Sequence, residues 1–427
     1  MDTTLIVGAC QAGVQLASVM RDLGDTDAII LIGEEAHRPY QRPPLSKGWL
    51  KSELTADDVI LRSREWFAGR GIELISGDRV VTVHRDADGS GTATTLGGRV
   101  IRFTRLALTT GASARRLTVA GTDYRGVHYL RDADDALTLE PALREPDVEH
   151  VAVIGGGFIG LETAAVARQL GKSVTVLEAG PRLVGRVVAE ETSAFYLEAH
   201  RRRGTEVVLD ARITRIVGDD ASAAGQKGSV TGVELADGRI VPADLVVVGI
   251  GVVPRVELAD QLGLEIDNGI VVDAACRTSD GRTVAAGDCA SMPNPYPLGL
   301  AGRVRLESVN NALEQAKIAA ATLLGRPQPY VSVPWFWSDQ ADLKLQIAGL
   351  STGYDEVVVR GEPDSEKFGV LYYRDGRLIA ADMVNRPAEF MAVRHALMKG
   401  HTIPPDAAAD VDVPLKQSVI DPAALAA

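Results

Sequence analysis

The sequence predicts an α/β chain in which one parallel-sheet unit occurs twice and a smaller α+β domain follows. Three observations predict it: a strand, glycine turn and helix opening at residues 5–23, a second copy at 151–171, and a change beyond residue 327 to strands, a hairpin and a helix.

With 427 residues, 46% hydrophobic and 24% charged, the chain has material for two or three domains. Its 43 glycines cluster where strands hand over to helices, so they mark sites rather than a disordered linker. There is no long apolar run and no basic leader, so a cytoplasmic location and no membrane partner are expected. Cys10, Cys276 and Cys289 have neither metal-ligand nor CxxC spacing. A net charge of −12 argues against nucleic acid. The run Arg201-Arg202-Arg203 reads as a solvated helix end.

The first opening runs from the strand Leu5-Ile6-Val7 through Gly8-Ala9-Cys10-Gln11-Ala12-Gly13 to Leu16, Val19, Met20 and Leu23 at helical spacing. The next apolar run ends at Glu34, where a ribose-binding acid belongs. Gly8 permits the tight turn, Gly13 lets helix and strand approach, and the helix's free N–H groups suit a pyrophosphate. Cys10 stands where the rule wants no side chain, so its thiol must turn aside or push the phosphates back.

The second copy keeps all three glycines. Val151 to Ile154 lead into Gly155-Gly156-Gly157-Phe158-Ile159-Gly160 and an Ala-rich helix ending near Gly171. The following strand ends at Glu178, whose carboxylate should accept from a ribose 2′-hydroxyl and repel a 2′-phosphate, although Arg182 and Arg186 lie near enough in sequence to soften that choice. Two Rossmann-like units in one chain imply two dinucleotides that exchange electrons: FAD held permanently and a nicotinamide that visits.

Two apolar strands ending in glycine, at 106–112 and 245–251, mark crossovers. The expected domains are residues 1–112 with 246–326 for FAD, 113–245 for NAD, and 327–427 as an α+β domain. Asp288 closes a returning strand and is placed to bind a cofactor hydroxyl. Ser308 or Asn310 should cap the helix after Glu307. Its positive end could stabilise a reduced flavin. Further on, a hairpin through 373–377 and a helix at 387–399 complete the last domain.

The stretches Tyr40 to Lys47, Gly155 to Glu162, Val247 to Pro254, Asp267 to Val272, Gly287 to Ala290, Glu307 to Ala316 and Val333 to Gln340 resemble the FAD-containing ferredoxin reductases that serve bacterial cytochrome P450s and ring-hydroxylating dioxygenases. The resemblance implies a glutathione-reductase-like fold whose last domain covers the flavin. It implies an FAD site at Gly8, Ala12, Gly13, Glu34, Arg42, Lys47, Val80, Arg131, Asp288, Val309 and Trp337, with Trp335 and Trp337 shielding the flavin. It implies an NAD site at Gly155, Gly157, Ile159, Gly160, Glu178, Arg186 and Gly251. Lys47 and Glu162 match the lysine and glutamate that pair near flavin N5, where the ammonium can polarise the ring. Cys10 and Thr109 depart from the commonest pattern.

The expected reaction is hydride transfer from NADH to FAD, then single-electron delivery to a small two-iron, two-sulfur (2Fe-2S) ferredoxin. Such acceptors are usually acidic, so a local basic patch is expected at Arg62, Arg303, Arg305 and Lys317. Two alternatives share the fold: a flavin disulfide reductase or oxidase, which would need a cysteine near the flavin, and a signalling flavoprotein whose NADH-dependent shape is its output.

Overall fold

A computed structural model describes residues 2–219, 228–295 and 302–425. The chain divides into two compact units, 1–41 with 56–113 and 253–336, and 42–55 with 114–252 and 337–427.

In the first unit a parallel sheet has Thr3–Val7 at its centre, Ala28–Gly33 and Ile72–Ser76 on one side, and Arg105–Leu108 and Val284–Ala285 on the other. Leu5, Ile6 and Val7 are buried because helices or loops cover both faces of such a sheet. The helix Gln11–Asp22 packs along the helix Val309–Leu323, joining Leu16, Ala17 and Met20 to Ala312, Ala316 and Ala319 in one core. Small alanines on the second helix let the pair approach closely. Ser308 is the cap, its hydroxyl accepting from Asn311 N at 3.1 Å. An antiparallel sheet of Val80–Arg85, Gly91–Thr95 and Val100–Phe103 buries Phe103 and Ala93 on this unit's other core.

The second unit repeats the pattern. His150–Ile154 lies between Ser173–Leu177 and Leu245–Val248, with Thr205–Val208 and Val127–Tyr129 outside them, all parallel. A short antiparallel sheet, Ile213–Gly218, Val230–Leu235 and Ile240–Pro242, packs on one side of it. Leu245–Val248 is built into the parallel sheet as a hydrogen-bonded neighbour of His150–Ile154.

The last sheet runs Trp335–Gln340, Leu343–Gly349, Arg377–Val384, Lys367–Arg374 and Glu356–Glu362. Its two central strands turn through Asp375 and Gly376 at φ 49° and 70°, as a two-residue hairpin loop requires. The helix Pro387–Met398 packs on this sheet. Residues of this sheet pack on the helix Glu190–Arg202. Phe195 meets Phe368 edge-on at 4.7 Å, and Thr192 and His200 donate to buried Asp382 and Gln340.

Candidate functional site

In the first unit the glycine turn is built by contact. A Cβ on Gly8, at φ +117°, would lie 2.0 Å from the Thr109 carbonyl oxygen, and one on Gly13 would lie 2.1 Å from that of Gly8. Thr109 is buried, and its hydroxyl donates to the carbonyls of Val7 and Gly8 at 3.1 and 2.9 Å, tying the crossover strand to the turn. Cys10 turns its thiol aside, donating to Thr109 O at 3.2 Å. The helix that follows has no side-chain cap and no acid in its first turn, so its N-terminal N–H groups can face an anion.

Around that turn, Ala12 and Val80 are buried, Asp288 follows Gly287 at φ +85°, and Val309 begins its helix. Glu34 ends its strand in an ion pair with Arg255, with Arg79 at 3.8 Å. Arg255 is a residue that sequence reasoning missed; its signal was a position one past the matching stretch Val247 to Pro254.

Two expected surface cations are internal. Arg305 is only 9% exposed and binds Glu307 at 2.6 Å and the Asp288 carbonyl at 3.2 Å. Arg303 donates to the carbonyls of Val272 and Ser291. Both are half-buried, and both donate to backbone carbonyls distant in sequence. Lys317 is exposed but paired with Glu314 at 2.7 Å, and exposed Arg62 stands over Trp66 at 5.3 Å.

In the second unit Gly155 repeats Gly8, at φ +109° with a Cβ 2.4 Å from Gly249 O, and Gly160 repeats Gly13, 2.1 Å from Gly155 O. A Cβ on Gly157 would meet nothing within 4 Å, leaving the open space a phosphate needs. Ile159, in the first helical turn, is 41% exposed, an apolar side chain offered beside that space. The Glu178 carboxylate accepts from Gly156 N at 2.6 Å and Gly180 N at 2.7 Å, which fixes it at the strand end. Arg182 is committed to the carbonyls of Val188 and Gly185, at 3.2 and 2.9 Å, rather than free for a 2′-phosphate. Arg186 lies beside Gly251, 3.4 Å from where a Cβ would be.

This unit also holds the expected ion pair. Lys47 closes the turn Pro43–Ser46 and donates to Glu162 Oε2 at 2.8 Å. Ser46 donates to the same oxygen at 2.5 Å and Ser338 to Oε1 at 2.6 Å. Glu162 is 1% exposed; burial pushes its carboxyl up, against the pull of Lys47 and the two hydroxyls. Arg42 donates to Arg131 O at 2.8 Å, and Arg131 N to Asp135 at 2.8 Å, whose carboxyl burial and Asp132 hold up. Trp337 lies on the strand that carries Ser338. Ser338 was missed; its signal is the alternation in Trp335 to Gln340 that puts Ser338 and Gln340 on one strand face.

The three cysteines are free. Cys276 and Cys289 are fully buried, and desolvation pushes both thiols up, that of Cys289 to about 11.

Residues 2–316 match the family described as pyridine nucleotide-disulphide oxidoreductase, and residues 335–419 match the reductase C-terminal family. The chain is 42% identical to rhodocoxin reductase of Rhodococcus erythropolis, over 97% of this chain and 94% of that protein. It is 41% identical to the ferredoxin reductase subunit of 5,5'-dehydrodivanillate O-demethylase of Sphingobium sp., over 97% of each. A solved covalent complex of putidaredoxin reductase with putidaredoxin superposes with a TM-score of 0.91 at 38% identity, over 97% of each chain. With both glycine turns built and likeness along nearly the whole length, the chain belongs to the pyridine nucleotide-disulphide oxidoreductases, among the ferredoxin reductases that carry a reductase C-terminal domain.

Proposed function

We propose that the chain is an NADH-dependent, FAD-containing ferredoxin reductase that delivers single electrons to a 2Fe-2S ferredoxin serving a cytochrome P450 or a ring-hydroxylating dioxygenase. The observation that carries this reading is that each parallel sheet ends in an uncapped helix N-terminus beside a carboxylate held in place, Glu34 in one unit and Glu178 in the other. FAD, when bound, supplies the chemistry of accepting a hydride from NADH and releasing the two electrons one at a time.

The residues do the rest by binding and orientation. The N–H groups after Gly8, with Ala12 and Gly13 drawn close, hold a pyrophosphate, and Glu34 and Asp288 accept from hydroxyls of the same cofactor. Val80 and Val309 line that cofactor, and the helix after Ser308 offers its positive end to developing negative charge. Gly155, Gly157 and Gly160 receive NADH, Ile159 and Gly251 flank it, and Arg186 can reach its phosphates. Glu178 is fixed and Arg182 is spent on its own loop, so a 2′-phosphate meets a carboxylate with less cationic relief. Lys47 presents an ammonium to the flavin, and Glu162 orients it. The disulfide-reductase alternative loses ground on the cysteines, since two are inert by burial and Cys10 donates to backbone.

Anaerobic addition of each nicotinamide to the purified holoenzyme tests this. NADH should bleach the flavin bands while an equal concentration of NADPH reacts far more slowly, and added ferredoxin should restore the colour. A protein that binds no FAD, or that bleaches without passing electrons to any ferredoxin, would overturn the reading.

A further inference from the structure

A buried chain of hydrogen bonds continues from the Lys47–Glu162 pair away from the glycine turn. Ser338 Oγ donates to Glu162 Oε1 at 2.6 Å, Gln340 Nε2 donates to Ser338 Oγ at 3.2 Å, and Gln340 Oε1 lies 2.7 Å from His200 Nε2. Ser338 and Gln340 alternate on one face of the strand Trp335–Gln340, and His200 comes from the last turn of the helix Glu190–Arg202. Ser338, Gln340 and His200 are 0, 1 and 3% exposed, so water cannot substitute for any link.

The polarity of the chain is fixed by its middle. Gln340 turns its amide nitrogen to Ser338, so its oxygen faces His200, which must therefore carry a hydrogen on Nε2. Burial holds the His200 imidazole below its usual range, so the ring supplies this hydrogen in its neutral form. Every hydrogen then points one way, from His200 through Gln340 and Ser338 to Glu162, and Lys47 and Ser46 donate from the other side. A carboxylate receiving donors on both oxygens is the acceptor this arrangement suits; a carboxylic acid would have to aim its own hydrogen at a group already donating.

We infer that Ser338, fixed in orientation by Gln340 and His200, is a positioning residue that keeps Glu162 ionised and thereby holds Lys47 in place, an inference that rests on the proposed role of Lys47 for its kinetic consequence. Tyr196 on the Glu190–Arg202 helix feels Glu162 together with Asp382, Asp339 and Arg203, and His200 on the same helix reaches the pair through Gln340 and Ser338. Burial keeps the tyrosine hydroxyl protonated, and the histidine is neutral. Without the Ser338 hydroxyl, Glu162 loses its donor on Oε1 at a site where desolvation already favours the neutral acid.

The experiment pairs a direct titration with kinetics on the FAD holoenzyme. Infrared difference spectra over pH follow the protonated Glu162 carboxyl band, assigned by its loss in Glu162→Gln. Ser338→Ala should move that titration up by about one pH unit, the worth of a hydrogen bond to a charged group, and Ser338→Thr should restore it. An unchanged titration in Ser338→Ala overturns the inference. In the wild type, nitrogen resonances of His200 should keep hydrogen on Nε2 alone from about pH 5 to 8, and a ring that titrates there overturns it independently of any variant. The NADH reduction rate should lose its acid limb at correspondingly higher pH in Ser338→Ala. If the infrared titration moves and the rate profile does not, the inference about Glu162 stands and the role given to Lys47 fails.

Discussion

At the scale of single residues, the turn around Cys10 shows how a departure from pattern is absorbed. The thiol is small enough to bend toward the Thr109 carbonyl, and Thr109 contributes that carbonyl from a strand its own hydroxyl has tied to Val7 and Gly8. The thiol of one unusual residue therefore rests on the backbone carbonyl of the other. Asp382 is a residue with a cost. It is fully buried, accepts from Tyr372 and from Thr192 at 2.9 Å, and leaves its other oxygen without a partner. Burial raises its carboxyl from 3.8 to about 7. Below about pH 4 both folded and unfolded chains carry this proton. Between there and about 7 the folded chain binds it and the unfolded chain does not, so stability falls as pH rises and the loss is complete above the folded value. Denaturant midpoints measured from pH 4.5 to 8 should fall with pH in the wild type, and Asp382→Asn, which keeps the carbonyl acceptor, should flatten the slope.

At the scale of elements, what was legible followed local chemistry. The glycine turns, the Ser308 cap, the Asp375-Gly376 hairpin and the Pro387–Met398 helix are each dictated by neighbours in sequence. What was not legible depended on distant partners. Arg303 and Arg305 read as surface charge because their carbonyl acceptors lie elsewhere in the chain, at Val272, Ser291 and Asp288. Arg360 is the extreme of this kind: 1% exposed within the strand Glu356–Glu362, it pairs with Glu389 at 2.9 Å and donates to the carbonyls of Ala408 at 3.0 Å and Val413 at 2.8 Å, as well as to Asp410. One guanidinium thus fastens the segment 405–413 to the last sheet. Arg360→Met keeps the volume and removes every donor, leaving Glu389 with Arg386 as its remaining partner and several carbonyls unpaired, and should cost about 2 kcal/mol or more. Thermal unfolding should show it as a lowered midpoint, with proteolysis beginning in the 405–413 segment; an unchanged midpoint would mean that water replaces the guanidinium.

At the scale of the whole molecule, charge sets how the chain meets its acceptor. The net charge is −12, two of the four cations expected to offset it are turned inward, and a third, Lys317, is neutralised by Glu314. An acidic ferredoxin approaching this chain is therefore repelled at long range, and screening should help it. With enzyme already reduced by NADH, the second-order rate of ferredoxin reduction should rise between about 10 and 150 mM salt. A rate that falls over this range would mean that a basic patch outweighs the net charge. Lys317→Glu then discriminates, because a patch containing Lys317 would lose its salt dependence in that variant while ferricyanide reduction stayed the same. Arg305→Ala should behave differently from either case. Its guanidinium holds the Asp288 carbonyl and Glu307 beside the first glycine turn, so its loss should slow ferredoxin and ferricyanide reduction alike, at every salt concentration.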